Sequence, residues 1–444
     1  LYWLFNRDIK IGEDFLKDKF KSKPEVVKAN IAVLQEGYNY AETIEALSTT
    51  FHVDPVKGKK GLFRNITGNQ ATAWGLLAAA EKSGLELFLG SYPITPATEI
   101  LQEITRRKHL GAIAFQAEDE IAGISSAIGA AYAGKLACTT TSGPGLALKG
   151  EAIGLAVITE LPIVIVDVQR GGPSTGLPTK TEQSDLLQAL YGRNGESPCI
   201  VIAATSPANC FNYAFEAAKL SLEHMTPVIL LTDGYLANGS ELWKIPSMKD
   251  MPEIKPPKVK DNDENFQPYK RDPEKLNRFW AIPGQPGLRH RVGGLEKEDV
   301  TGVVSHDPMN HQVMVGLRDK KVKKVVDVIP DQEVVGPTEG DLLVVGWGGT
   351  YGALISAVND LRDEGKSVAL AQFNYLHPLP RNTGEIFAHY KKILVCELNM
   401  GQFAYHLRSM HPQFEYLQYN KIQGLPLFIS ELKTKINEVL ESIK

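Results

Sequence analysis

The stretch LACTTTSGPGLALKGEAIGLAVITELPIVIVDVQR, residues Leu136–Arg170, decides the fold. LACTTT reads as a strand, SGPG as a turn, LALKGEAIGLAVIT as a helix and LPIVIVDVQR as a second strand. The last run is nearly all apolar, as expected of a strand buried on both faces. Strand, helix and strand in this order make a parallel pair joined by a crossover helix. Further short β-rich runs flank it: LELFLG, AIAFQAEDE leading into IAGISSAIGAAYAG, then SPCIVIAAT and TPVILLTD. Repeated units of this kind predict an α/β fold, a parallel sheet covered by helices.

Composition sets the class. Of 444 residues 43% are hydrophobic and 23% charged, with a net charge of −4. These are ordinary values for a soluble globular chain and point to neither a nucleic-acid nor a membrane surface. Cys138, Cys199, Cys210 and Cys396 form no CxxC pair, so no thiolate metal or cluster motif is present. Isolated cysteines fit a reducing compartment, and a cytoplasmic location is expected. No apolar run reaches the ~18 residues of a spanning helix, and no signal peptide is recognisable.

Four segments are expected. Residues 1–60 are charged and helical in period. Because the chain opens on LYWLFNRD without Met, this segment reads as the tail of an earlier domain. Residues 61–246 carry the βα units. Residues 247–340 begin with a Pro-, Lys- and Asp-rich extended linker and continue into a helix with a basic outer face, its lysines read as solvated. Residues 341–444 form a second α/β unit, opening with DLLVVGWGGTYGALISAVNDLRDEG. GWGGTYG lacks the GxGxxG spacing and reads first as a tight strand-to-helix turn.

Ligands of open α/β sheets bind beyond the carboxyl ends of the strands. Four loops of the first unit leave such ends: YPITP, QAEDEIAG, TTTSGPG and QRGGPSTGLPTKTEQSD. Thr95 is expected to cap the helix that follows, with Pro96 at its first position and Pro93 holding the approach extended. Glu118 stands between apolar runs, where a carboxylate is costly unless paired or protonated. Asp119 and Glu120 read as solvated acids at a helix start. Arg170 ends a buried strand before Gly171 and Gly172, and can fork a carboxylate.

These stretches together resemble one family. GNQATAWG, GSYPITPATEI, FQAEDEIAGISSAIGAAYAG, TTTSGPGLALKGEAIGLAV, VQRGGPSTGLPTKTEQSDLLQALYGRNGE, VGWGGTYGAL and CELNMGQFAYHLR are similar to the α subunit of a 2-oxoacid:ferredoxin oxidoreductase, most of all the 2-oxoglutarate type. The resemblance covers essentially the whole chain, with residues 1–60 similar to the end of a fused γ domain. It implies a pyrimidine-type thiamine diphosphate domain followed by a transketolase C-terminal-like α/β domain. It implies oxidative decarboxylation of a 2-oxoacid to an acyl-CoA and CO2, with electrons passed to ferredoxin. Thiamine diphosphate is then shared with a β subunit that holds its Mg2+ and a [4Fe–4S] cluster. Glu118 matches the glutamate that hydrogen-bonds N1′ of the aminopyrimidine, and Tyr92 and Pro93 match residues on the cofactor side. Thr95 matches the substrate-touching threonine, and Arg170 the arginine that binds the substrate carboxylate.

Other readings stand beside this one: a pyruvate or branched-chain 2-oxoacid member of the same family, a non-catalytic assembly subunit, or a dinucleotide binder through GWGGTYG. For 2-oxoglutarate, Lys180 and Arg193 are candidate partners of the distal carboxylate.

Overall fold

The computed structural model describes all residues except 46, 55–57, 59, 178 and 444; Pro178 of the GGPSTGLPTKTEQSDL motif therefore lies outside the described residues. The chain divides into two compact units, Leu1–Gly61 and Leu62–Lys444. In the first, helix Pro24–Thr43 starts on Pro24, whose missing N–H costs nothing there. It joins helix Lys10–Lys19 through Gln35 Nε2, which donates to Glu13 Oε1 at 2.6 Å.

In the second unit the apolar runs become the strands read from the sequence. They are β1 (Phe63–Thr67), β2 (Leu87–Ser91), β3 (Ile113–Gln116), β4 (Leu136–Thr141), β5 (Ile163–Gln169), β6 (Ile200–Ala203), β7 (Pro227–Asp233), β8 (Ser240–Lys244), β9 (Gly340–Trp347), β10 (Val368–Phe373), β11 (Tyr375–His377), β12 (Tyr390–Glu397) and β13 (Tyr416–Asn420). A seven-stranded sheet has the order β11-β6-β7-β5-β4-β2-β3, and a four-stranded sheet the order β10-β9-β12-β13. All their pairings are parallel except β11 on β6, and β1 with β8 makes a separate antiparallel ribbon. The α/β class with parallel sheets is as expected.

Helices Gly68–Ser83, Thr98–Arg106 and Asn209–His224 cover one face of the large sheet, packing Leu76, Ile100 and Phe215 with Leu89, Val164 and Leu230. On the other face Ile124, Ile153 and Ile165 share one core with Val345, Trp347, Phe373 and Phe403. The small sheet thus buries its inner face in the large sheet's own core. It also lends a strand: Asn374 Nδ2 donates to Ala203 O at 2.8 Å where β11 docks on β6. Among the described residues no helix is long and apolar enough to cross a membrane.

Residues 246–330 correct the sequence reading. The segment is extended, but it is packed down: Tyr269, Arg278 and Trp280 are fully buried. Its anchor is Glu160, left at the end of helix Gly150–Thr159 with no exposure. Arg271 forks its carboxylate at 2.6 and 2.9 Å, Lys321 Nζ donates to it at 2.6 Å, and Arg278 Nε donates to its carbonyl at 3.1 Å. Lys321 of helix Pro308–Lys323 is therefore buried, and Arg318 is buried on Glu296 at 2.8 Å, whereas Lys320 and Lys323 are exposed as read. Spacing within the segment cannot reveal this, because the anion lies more than a hundred residues away.

Burial alone would raise the Glu160 carboxyl, but Lys321 and Arg271 outweigh it and hold it well below the carboxylate range. Its stabilisation is present above the unfolded glutamate value of about 4.3 and fades as pH falls below it. Glu160→Leu leaves buried Lys321 without an anion and Arg271 with Asp299 alone, and is expected to cost about 3–5 kcal/mol in denaturant unfolding at neutral pH. A loss under about 1 kcal/mol would show that the strap is held by its aromatic residues instead.

Candidate active site

Because β2, β3, β4 and β5 run parallel and adjacent, their carboxyl ends share one edge of the large sheet. YPITP, QAEDE, SGPG and RGGPSTG all leave from that edge, as the sequence requires. Ser91 Oγ lies 2.7 Å from Thr140 Oγ1, tying the β2 loop to the end of β4.

The structure brings two of the candidate residues together. Arg170 is nine-tenths buried, and its Nη1 donates to the Thr95 carbonyl oxygen at 2.8 Å. Its Nε is buried without a partner. Thr95 itself is exposed, and here the capping expectation fails. The helix runs Thr98–Arg106 with Ala97 at its N-cap, and Pro96 precedes it. The corner is closed by Thr98, whose amide and hydroxyl both donate to Ile94 O at 3.0 Å. The Thr95 hydroxyl is thereby left outside the helix start.

Arg170 lines a cavity of about 520 Å³ with Glu182, Ser184, Asp185 and Gln188 on one side and Asn399, Met400 and Gln402 on the other. The second α/β region therefore contributes to the site through its Asn399–Gln402 corner, which sequence reading left without a role. Gln183 joins the two sides. Fully buried, it donates from Nε2 to Trp347 O at 2.7 Å and accepts from Leu398 N–H at 2.9 Å. Its backbone bonds Leu398 O at 3.1 Å and Asn399 Nδ2 at 2.8 Å.

GWGGTYG finds its explanation at the same junction. Gly348, at φ +57°, leaves room for Gln183: a Cβ there would sit 2.8 Å from its Nε2. Gly349 packs directly on the Asp233 carboxylate, which also accepts from Thr181 Oγ1 at 3.0 Å. The turn is a contact between the two α/β regions.

The sequence reading missed two carboxyls here, Asp185 in the cavity wall and Asp167 buried against it. Asp167 is a lone acid in the apolar run IVIVDVQ, and that oddity was its signal. It is fully buried with both oxygens unpartnered in the protein apart from the facing Asp185 carboxyl. Burial, reinforced by the Asp185 charge, pushes the Asp167 carboxyl well above the usual aspartate range. Burial pushes Asp185 up to about 6, against hydrogen bonds from Ser184 and Asp167 and the charge of Arg170.

Glu118 lies on the same edge but bonds neither Thr95 nor Arg170. It is exposed and makes no hydrogen bond or ion pair among the described residues. Its chain and register neighbours Tyr92, Ile113, Phe115 and Ile121 are likewise exposed, from 38% to 51%. The surroundings are apolar as expected, but this chain leaves them open. Pro93, next to Tyr92, is partly buried. Asp119 is the N-cap of helix Glu120–Tyr132, accepting from Ala122 N at 2.7 Å. Glu120 is buried, not solvated, and its carbonyl accepts from buried Lys149 at 2.8 Å. Arg193 donates to the carbonyls of Ala189, Leu190 and Ser197 at 2.8–3.0 Å, which removes it as a carboxylate partner. Lys180 is exposed beside Gly424.

Residues 79–309 match the thiamine diphosphate-binding family of pyruvate flavodoxin/ferredoxin oxidoreductases. The chain is 49% identical over 441 residues to the 2-oxoglutarate oxidoreductase subunit KorA of Mycobacterium tuberculosis, covering 99% of this chain and 67% of that protein. The chain belongs to the family of 2-oxoacid:ferredoxin oxidoreductase α subunits. A second member, the 2-oxoglutarate synthase subunit KorA of Methanothermobacter marburgensis, is 33% identical over 78% of this chain and 90% of its own length. The Magnetococcus marinus 2-oxoglutarate:ferredoxin oxidoreductase, solved with 2-oxoglutarate, coenzyme A and succinyl-CoA bound, superposes with a TM-score of 0.88. It shares 34% identity over 99% of this chain and 76% of that one. The chain is thus a subunit of an oxidoreductase with a thiamine diphosphate-binding domain.

Gln183→Leu keeps the volume but orphans the Leu398 N–H and leaves the Trp347 carbonyl with only the Thr350 hydroxyl as donor. It is expected to lower stability by about 1–3 kcal/mol, read as a fall in unfolding midpoint. An unchanged midpoint would show that apolar packing alone joins the two α/β regions.

Proposed function

We propose that this chain is the α subunit of a 2-oxoglutarate:ferredoxin oxidoreductase. In this reading it holds the aminopyrimidine of thiamine diphosphate at Glu118 and the carboxylate of a 2-oxoacid at Arg170 and Thr95. One observation carries it: a nearly buried arginine with a free Nε, tied to the YPITP loop, faces a cavity at the carboxyl edge of the sheet. An arginine so placed is suited to fork a carboxylate.

The residues fit the cofactor's needs. An aminopyrimidine requires a carboxyl group for N1′ and apolar walls for its faces. Glu118 is a carboxylate without a partner among exposed Tyr92, Phe115 and Ile121, with Pro93 beside it. Bound thiamine diphosphate supplies the electron sink that lets a 2-oxoacid lose CO2. Glu118 would set its carboxyl group against N1′ and hold a proton there. Arg170 and the Thr95 hydroxyl orient the carboxylate for loss.

Exposed apolar residues around Glu118, on the free edge strand β3, support a covering partner. We assign to that partner, a β subunit, the diphosphate, its Mg2+ and a [4Fe–4S] cluster. Electrons then pass to ferredoxin, the acyl group passes to CoA, and the complex works in the cytoplasm. This assignment rests on likeness to the family's α subunits. The choice of 2-oxoglutarate rests on the relatives named above and on the ligands bound in the Magnetococcus marinus structure; Lys180 remains the candidate for its distal carboxylate.

Glu118→Gln in the αβ complex is expected to leave assembly intact and lower kcat about 10²–10⁴-fold, measured as viologen reduction with 2-oxoglutarate and CoA. A variant that keeps most of its activity would reduce Glu118 to a surface acid.

Arg170→Lys keeps the charge but loses the fork. KM for the 2-oxoacid should rise about ten- to a hundredfold with a much smaller change in kcat. Thr95→Val should raise KM less, and because Thr95 caps no helix its stability should change by under about 0.5 kcal/mol. Unchanged KM in both variants would move the substrate to another strand-end loop.

A further inference from the structure

Asp167 and Asp185 have no part in the mechanism above, yet Asp185 shares the cavity of Arg170. Two carboxyl groups buried face to face normally cannot both ionise, and they share a proton. Asp167 lies on β5 three residues before Arg170. Asp185 lines the same cavity as Arg170 and packs on Gly143. The link between them is rigid. Asp185 N–H donates to Gln169 Oε1 at 3.1 Å, and Ser184 Oγ donates to the Arg170 carbonyl at 2.7 Å. Asp185 makes no salt bridge to the guanidinium, so it acts on Arg170 through its charge and through this frame.

We propose that Asp167 and Asp185 form a proton-sharing pair that balances the charge of Arg170 and couples binding of the 2-oxoacid carboxylate to uptake of one proton by Asp185. The inference rests on Arg170 being the carboxylate site. With the cavity free, ionised Asp185 offsets the buried cation. An incoming carboxylate takes over that task and opposes a second anion beside it, so Asp185 takes a proton from water as the substrate binds. Asp167, the more deeply buried of the two, keeps the shared proton and stays as the donor behind it. These two acids are positioning residues; neither touches the reacting atoms.

The charged groups facing Asp185 are few. Arg170 favours its ionised form, and Glu182 opposes it. Glu182 is itself buried in the cavity wall and is raised by that burial, against backbone hydrogen bonds from Gly424 and Gly172. Gly143, Pro144, Gln188, Asn399, Met400 and Gln402 on the other walls carry no charge. Asp185 and Glu182 are thus the two groups able to make binding pH-dependent here.

The sign follows from the neutral form binding better. In the αβ complex KM for 2-oxoglutarate should rise about tenfold as pH rises from about 5 to about 8, while kcat follows a different profile. Asp185→Asn should hold KM low and flat across that range. Asp167→Val removes the donor behind Asp185, so the rise in KM should move to higher pH. A residue that only held the fold would shift stability without moving this inflection. A rise retained unchanged in Asp185→Asn, or in Asp167→Val should Asp185→Asn not assemble, would assign the titration to Glu182 and overturn the proposal. Arg170→Lys in parallel separates the two levels. If it raises KM while the pair variants leave the profile unmoved, the pair is wrong and Arg170 stands. If it leaves KM unchanged, both fall.

Discussion

Gln183 holds the site together. Its side-chain amide and its backbone bind Trp347, Leu398 and Asn399, so one buried residue of the Arg170–Asp185 loop reaches both strand ends of the second α/β region. Without that junction the loop following β5 would be surface. With it, Arg170 is fixed from both sides: by Thr95 through its guanidinium and by Ser184 through its carbonyl. A buried amide with donor and acceptor both satisfied specifies one arrangement, since any shift leaves polar groups unpaired in the interior. The small sheet, which contributes no acid or base to the proposed chemistry, therefore decides where Arg170 sits.

The same logic explains how the charges are distributed. Deep in the chain, Glu160 is compensated by Arg271 and Lys321, a closed group with no group left to act on a ligand. At the sheet edge, Arg170 keeps an unpartnered Nε, and Asp167 has no partner beyond the Asp185 carboxyl. Unsatisfied polarity in the wall of a cavity is open to a ligand.

Much of this was legible in the sequence, for physical reasons that also mark where legibility ended. Apolar runs such as LPIVIVDVQR and DLLVVGW could bury only as parallel strands, so the fold class and the shared edge of the loops followed. Three things did not. Thr95 has cap chemistry, but Thr98 sits one turn on and closes the corner instead. The tight turn read at GWGGTYG is there, but the sequence does not say why Gly348 and Gly349 are small: Gln183 and Asp233 occupy the space their side chains would need. The strap from 246 to 330 reads as solvated, because the partner of its basic residues, Glu160, is remote in sequence. Glu118 was found by its apolar neighbours, but in this chain those neighbours cover nothing.

The most direct measurement is a structure of the assembled αβ complex with thiamine diphosphate and a 2-oxoacid bound. The substrate carboxylate is expected within hydrogen-bond distance of the Arg170 guanidinium, in the cavity bounded by Asp185 and Asn399. The aminopyrimidine N1′ is expected against the Glu118 carboxyl group. A carboxylate held elsewhere, with the Arg170 cavity filled only by water, would contradict this arrangement.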